Sequence, residues 1–158
     1  MKDFKGFYNE HRENLFSYLM RQSGDYYLSN DILQESFTRF LEHYGRHTRN
    51  VSLLYTIARN ILTDHFRRSG RDYHRDEDLE DMTNNQEHLL MVRQEYRQVM
   101  ESMQKLNRDE RDILALTLSG ELSYKEIASI VGISQGNVKV KVHRARTKLR
   151  EILRKRSS

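Results

Sequence analysis

The sequence predicts an all-α protein: two small helical bundle domains joined by a flexible acidic linker, the second ending in a helix-turn-helix. Three observations carry that prediction. Proline and tryptophan are absent and glycine is scarce, while Leu, Arg, Glu, Met, Gln and Lys are plentiful, a composition that favours helix and gives a sheet little support. Apolar residues recur at helical spacing in two stretches separated by a polar, acid-rich interval. A chain of 158 residues has room for two small cores. The expected divisions are 1–69 for the first domain, 70–88 for the linker and 89–158 for the second domain.

In the first domain, Phe4, Phe7, Tyr8, Leu15, Phe16, Leu19 and Met20 form one amphipathic helix. After the "SGD" break Ser29 is expected to cap a second helix, where Leu33, Phe37, Phe40 and Tyr44 recur on one face until "YGRHTRN" ends it. The run "VSLLYTIARNILTDHFRR" places Leu54, Ile57, Ala58, Ile61 and Leu62 on one side and closes a small bundle. "SGRDYHRDEDLEDMTNNQE" has few apolar residues and many acids, as a linker should.

Periodicity resumes with Val92, Tyr96, Val99, Met103 and Leu106. Asn107, with Glu110 three residues on, suits the start of a helix that Gly120 ends. Ser123 and Glu126 repeat the capping pattern ahead of Ile127, Ala128, Ile130 and Val131. Gly132 stands where a tight turn needs a positive φ, Ile133 fills the angle between helices, and Ser134 caps the last helix. This spacing is the signature of a helix-turn-helix.

Charge is unevenly spread. Residues 1–70 hold ten basic and eight acidic residues, 71–110 six and eleven, and 111–158 eleven and four. A C-terminal block of net +7 points to a polyanionic partner. On the last helix, Val138, Val142, Ala145 and Leu149 fall within a narrow arc at about 100° per residue and should bury. The opposite arc holds Gly136, Lys139, Val140, His143, Arg144 and Thr147, small at the helix start and basic beyond, which suits entry into a major groove. There Lys139 and Arg144 can donate to guanine or to phosphate, and Val140 can touch a thymine methyl. Lys141, Arg146, Lys148 and Arg150 flank that arc and suit phosphate contacts, with Ser134 and Gln135 at the helix start completing the candidate DNA-binding set.

Other chemistries find little support. The chain has no cysteine, so neither a disulfide framework nor a thiolate metal site is available, and no signal peptide or membrane-length apolar run is present. Asp31 and Glu35 lie one helical turn apart, and His43 and His47 could share a face, but Gly45 interrupts that helix and no third ligand is placed by spacing. No catalytic, cofactor-binding or metal-binding residue is assigned. A conventional helix-turn-helix regulator acting on duplex DNA without polymerase is the alternative that the second domain alone leaves open.

Three segments in order, "SNDILQESFTRFL" (29–41), "LLYTIARNILTDHFRR" (53–68) and "LSYKEIASIVGISQGNVKVKVHRARTKLR" (122–150), narrow the choice. They resemble the core-binding, minus-10-reading and minus-35-reading regions of the extracytoplasmic-function, or group IV, sigma factors of bacterial RNA polymerase. The resemblance covers nearly the whole chain. It implies a cytoplasmic protein, without catalysis or membrane insertion of its own, that binds RNA polymerase core and directs it to promoter DNA.

Within that resemblance Asp31, Gln34 and Glu35 match the surface that docks on the clamp helices of the largest polymerase subunit. Arg59, Asn60, Arg67 and Arg68 match the minus-10 segment, which holds a nontemplate base out of the stack, and His47, Thr48, Arg49, Asn50 and Val51 are the candidate specificity loop. Leu53 stands where a tryptophan is common in the family, so the base captured is not read from this sequence. The family's minus-35 reading positions fall on Lys139, Val140, His143 and Arg144, the arc already found from periodicity. An anti-sigma factor is implied as a further partner. The acidic run Asp72, Asp76, Glu77, Asp78, Glu80 and Asp81 either imitates RNA in a polymerase channel or only keeps the linker solvated. Two promoter elements roughly 20 base pairs apart lie about 70 Å apart, and a linker of about 18 residues reaches about 60 Å when extended, so the length is adequate.

Overall fold

The computed structural model describes residues 2–69 and 94–157, so the expected linker with its acidic run, and Val92, lie outside the described residues. Within these, seven α-helices follow one another: α1 (Lys2–Ser23), α2 (Tyr26–Tyr44), α3 (Val51–Ser69), α4 (Gln94–Met103), α5 (Arg108–Leu118), α6 (Tyr124–Val131) and α7 (Gln135–Ser157). There is no strand among the described residues.

Helices α1 to α3 bury one aromatic and aliphatic face each. Phe7, Leu15 and Leu19 of α1 meet Ile32, Leu33, Phe37 and Phe40 of α2 and Leu54, Ala58, Leu62 and Phe66 of α3, all nearly without solvent contact. Phe7 stacks on Phe40 with ring centroids 4.8 Å apart and meets Phe37 edge-on at 6.2 Å, geometries that add to the burial of area itself. The start of α2 differs from the sequence expectation. Asp25, not Ser29, is its N-cap and accepts from the Leu28 backbone N–H at 3.0 Å. The carboxylate next to the Gly24 break reaches the free N–H groups one turn earlier, which leaves Ser29 buried inside the helix, its Oγ 3.1 Å from that of Ser23.

Helices α4 to α7 contribute Met103, Leu106, Ile113, Leu114, Ala115, Leu116, Ile127, Val138, Val142 and Ala145, which are continuous with the apolar residues of the first bundle. Both predicted capping boxes form. Asn107 Oδ1 accepts from the Glu110 N–H at 2.9 Å while Glu110 reaches back to the Asn107 N–H at 3.1 Å, and Ser123 and Glu126 do the same at 3.0 and 2.8 Å.

The turn between α6 and α7 rests on one backbone torsion. Gly132 adopts φ +83°, and its N–H donates to the Ala128 carbonyl at 2.8 Å. A Cβ built there meets nothing within 4 Å, so substitution costs only the left-handed conformation. Gly132→Ala should therefore lower stability by roughly 1–2 kcal/mol in urea unfolding, with no change in core packing. A mutant as stable as the parent would show that the turn does not depend on the glycine.

The two bundles pack against each other. Helix α5 lies against α7 on one side and α1 on the other, and α6 rests on α3. Met20 of α1 and Met100 of α4 bury together beside Tyr26 and Tyr96, and Gln104 Nε2 donates to the Arg21 carbonyl at 3.1 Å. Apolar faces that are separate in sequence thus join one continuous core in space.

Candidate nucleic-acid and polymerase interfaces

The last helix is divided lengthwise. Val138, Val142 and Ala145 are fully buried, with Leu149 and Ile152 partly so, whereas Lys139, Val140, Lys141, His143, Arg144, Arg146 and Lys148 are exposed. Ser134 and Gln135 at its start are exposed too, and Ser134 Oγ accepts from the Asn137 N–H at 3.1 Å, which fixes where the helix begins. Val140 keeps 46% of its surface in solvent, an apolar side chain that no intramolecular packing needs. Not all the cations are equal. Lys148 Nζ lies 3.3 Å from Glu110, and Lys141 and Arg144 share a shallow depression with Asn107, Asp109 and Glu110. A phosphate at Lys148 therefore has to displace a carboxylate, while Lys139 and Arg146 point to no such cost among the described ion pairs.

On α2, Asp31, Gln34 and Glu35 are exposed, on the side opposite the buried Ile32, Leu33, Ser36, Phe37 and Phe40. Gln34 Nε2 donates to the Tyr8 hydroxyl at 3.3 Å, and Glu35 pairs with Arg39 one turn on. The three side chains share one outward face.

The α2–α3 loop and α3 carry the remaining candidates. Asn50 is the N-cap of α3, its Oδ1 accepting from the Ser52 and Leu53 N–H groups at 3.0 and 3.3 Å, so a structural task already occupies that oxygen. Thr48 Oγ1 donates to the Tyr44 carbonyl at 2.7 Å, while His47 and Arg49 are exposed. Asn60 is exposed, and Arg67 and Arg68 keep 72% and 81% of their side-chain surface beside Asp64. Arg59 differs, at 26%, because it faces the second bundle.

There the structure assembles a polar cluster that sequence reasoning missed. Asp112 of α5 accepts from Arg59 Nε at 2.7 Å on one oxygen, and from the Tyr18 hydroxyl at 3.0 Å and Gln22 Nε2 at 2.5 Å on the other. Burial pushes the Asp112 carboxyl above the usual carboxylate range even though Arg59 pulls against it. Burial also works against the Arg59 charge, but Asp112, followed by Tyr18 and Asp109, together offset this and raise its pKa. Tyr18, wholly enclosed, is pushed well above an ordinary tyrosine by burial and then by the Asp112 charge. A second contact lies alongside, where Glu121 accepts from the Tyr55 hydroxyl at 2.7 Å and meets His11 Nδ1 at 2.6 Å. Helical periodicity could not reveal either cluster, because Asp112 is buried by the other bundle and not by its own helix, and Glu121 meets its partners from the turn between α5 and α6.

Comparison with known proteins places the two bundles in one family. The sigma-70 region 2 model matches residues 7–72 and the sigma-70 region 4 model matches residues 96–149. SigM of Bacillus subtilis, an extracytoplasmic-function RNA polymerase sigma factor, is 28% identical over 92% of this chain and 91% of its own. The chain belongs to the extracytoplasmic-function sigma factors. EcfG of Rhodopseudomonas palustris is 27% identical over 89% of this chain and 79% of its own. The fold is shared with RpoE of Bartonella quintana, solved with the anti-sigma factor NepR, at a TM-score of 0.73 and 20% identity over 98% of both chains. As a sigma factor the protein directs promoter-specific initiation by RNA polymerase, and its family is one of initiation factors rather than enzymes. No helix among the described residues is long and apolar enough to cross a membrane.

Proposed function

We propose that this sigma factor divides promoter recognition between its two bundles. The exposed arc of α7, with Lys139, Val140, His143 and Arg144 at its centre and Ser134, Gln135, Lys141, Arg146 and Lys148 around it, reads the minus-35 duplex. Arg59, Asn60, Arg67 and Arg68 with the loop His47, Thr48, Arg49 and Asn50 hold the minus-10 strand. Asp31, Gln34 and Glu35 dock on the polymerase clamp helices, where charge-assisted pairs with partner arginines suit their exposed carboxylates. The partners are then polymerase core, promoter DNA and an anti-sigma factor, in the cytoplasm where all three meet.

The observation that carries this reading is the division of α7, whose buried valines and alanine fix the helix while a basic face with one exposed valine stays open to a groove. Reconstitution with sigma-free core polymerase and a genomic promoter library tests it. Specific initiation from a shared pair of elements is expected. Duplex binding without core association would instead point to a conventional helix-turn-helix regulator.

A further inference from the structure

Helix α7 carries nine basic residues and a single acid, Glu151. Left to itself, such a helix holds any duplex through its phosphates, an attraction that does not depend on sequence. The second bundle sets a carboxylate against it. Glu110, in the first turn of α5, lies 3.3 Å from Lys148 Nζ. With Asn107 and Asp109 it also lines the depression that holds Lys141 and Arg144.

Glu110 is anchored where it stands. The Oε1 that meets Lys148 also accepts the Asn107 N–H at 3.1 Å, and the Glu110 N–H donates to Asn107 Oδ1 at 2.9 Å. The capping box thus fixes the acid, and the long side chain of the lysine comes to it. Exposure divides the two in the same way, with 24% of the Glu110 side chain in solvent and 48% of Lys148. A phosphate that recruits Lys148 must draw a flexible cation away from a pinned anion and then stand beside that anion. Capping itself does not require the charge, because a glutamine at the same position makes the same reciprocal bond.

We infer that Glu110 sets the DNA affinity of the minus-35 reader, as a fixed counter-charge that competes with backbone phosphate for Lys148 and restrains binding by charge alone. This rests on the assignment of α7 to the minus-35 duplex proposed above. Phosphate contacts position a protein without reading sequence, so the restraint falls on every duplex alike. Unrelated DNA, present in large excess in a genome, is then held less often. Contacts to base edges from Lys139, Val140, His143 and Arg144 decide where the helix stays.

Glu110→Gln keeps the cap and removes the charge. Holoenzyme reconstituted with sigma-free core should bind labelled duplexes spanning the minus-35 region about two- to fivefold more tightly, by equal factors for the preferred and a scrambled sequence. The gain should shrink as salt rises, with log affinity against log salt steeper by about half a unit to one unit. Adding Lys148→Ala should remove most of the gain, since the carboxylate then has no such cation to withhold. Glu13→Gln, an exposed acid of α1, changes net charge by the same amount and should leave affinity and slope as they were.

Unchanged affinity and slope in Glu110→Gln would overturn the inference, as would an equal gain in Glu13→Gln or a full gain without Lys148. A gain confined to the preferred sequence would overturn it too, by moving Glu110 onto a base-reading side chain. Should Glu110→Gln fold poorly, Lys148→Ala alone decides. It should flatten the salt dependence by less than Arg146→Ala does, because its phosphate contact is already weakened, and an equal or larger change would defeat the idea. Equal losses on both sequences in Arg144→Ala would instead defeat the base-reading assignment of α7, while the response to Glu110→Gln still decides whether the acid restrains DNA binding.

Discussion

Arg144→Ala should lower initiation from promoters that carry the preferred minus-35 sequence by about ten- to a hundredfold, and leave initiation from scrambled minus-35 sequences nearly unchanged. The size follows from the loss of about 1–3 kcal/mol when one base-reading side chain is removed. The selectivity follows from position. Arg144 is exposed in the middle of the outward arc, and its neighbours Val142 and Ala145 are buried, so truncation removes a contact without moving the helix. Arg146→Ala provides the contrast. From the flank of the arc it should weaken every sequence alike and flatten the dependence of log affinity on log salt by about one unit. Measured side by side on a promoter panel, equal losses across all sequences for Arg144→Ala would move that residue from base to phosphate.

The elements that could be read in advance are those whose causes are local. Asn107 with Glu110 and Ser123 with Glu126 announce helix starts because the reciprocal hydrogen bonds need only three residues of sequence, and both form. Gly132 announces its turn because few other residues tolerate the left-handed torsion. Val138, Val142 and Ala145 announce a buried face because a repeat near 3.6 residues can pack on one side only.

The Ser29 expectation failed for an equally local reason, since Asp25 offered an acceptor one turn earlier. What stayed hidden was non-local. Asp112 resembles Asp109 and Glu110, ordinary acids in a helix's first turns, and only the arrival of α1 and α3 buries it against Tyr18, Gln22 and Arg59. Likewise Tyr55 sits next to Leu54 in the sequence with no sign that its hydroxyl meets Glu121, 66 positions away. Family resemblance assigns roles to positions one by one. It carries no information about which of those positions the two bundles would turn toward each other.

Replacing Gln34 and Glu35 together with alanine should weaken binding to polymerase core by roughly thirtyfold to several-thousandfold, without loss of fold. Both side chains are exposed, and their described partners, Tyr8 and Arg39, lie on the same surface, so little intramolecular energy is at stake. Exposed pairs of this kind typically contribute under about 1 kcal/mol, and alanine gains some of that back through helix propensity. At an interface the balance changes. A carboxylate enclosed against a partner arginine forms a charge-assisted bond, and its removal leaves the partner's cation desolvated, which costs roughly 2–5 kcal/mol. The double variant should therefore melt at nearly the parent temperature, yet compete poorly with the parent for core. Lower affinity should persist when the promoter is omitted, because this face belongs to α2 and not to the surfaces assigned to DNA. Unchanged core affinity would remove Gln34 and Glu35 from the docking surface, and a loss seen only with promoter present would place them at the nucleic acid instead.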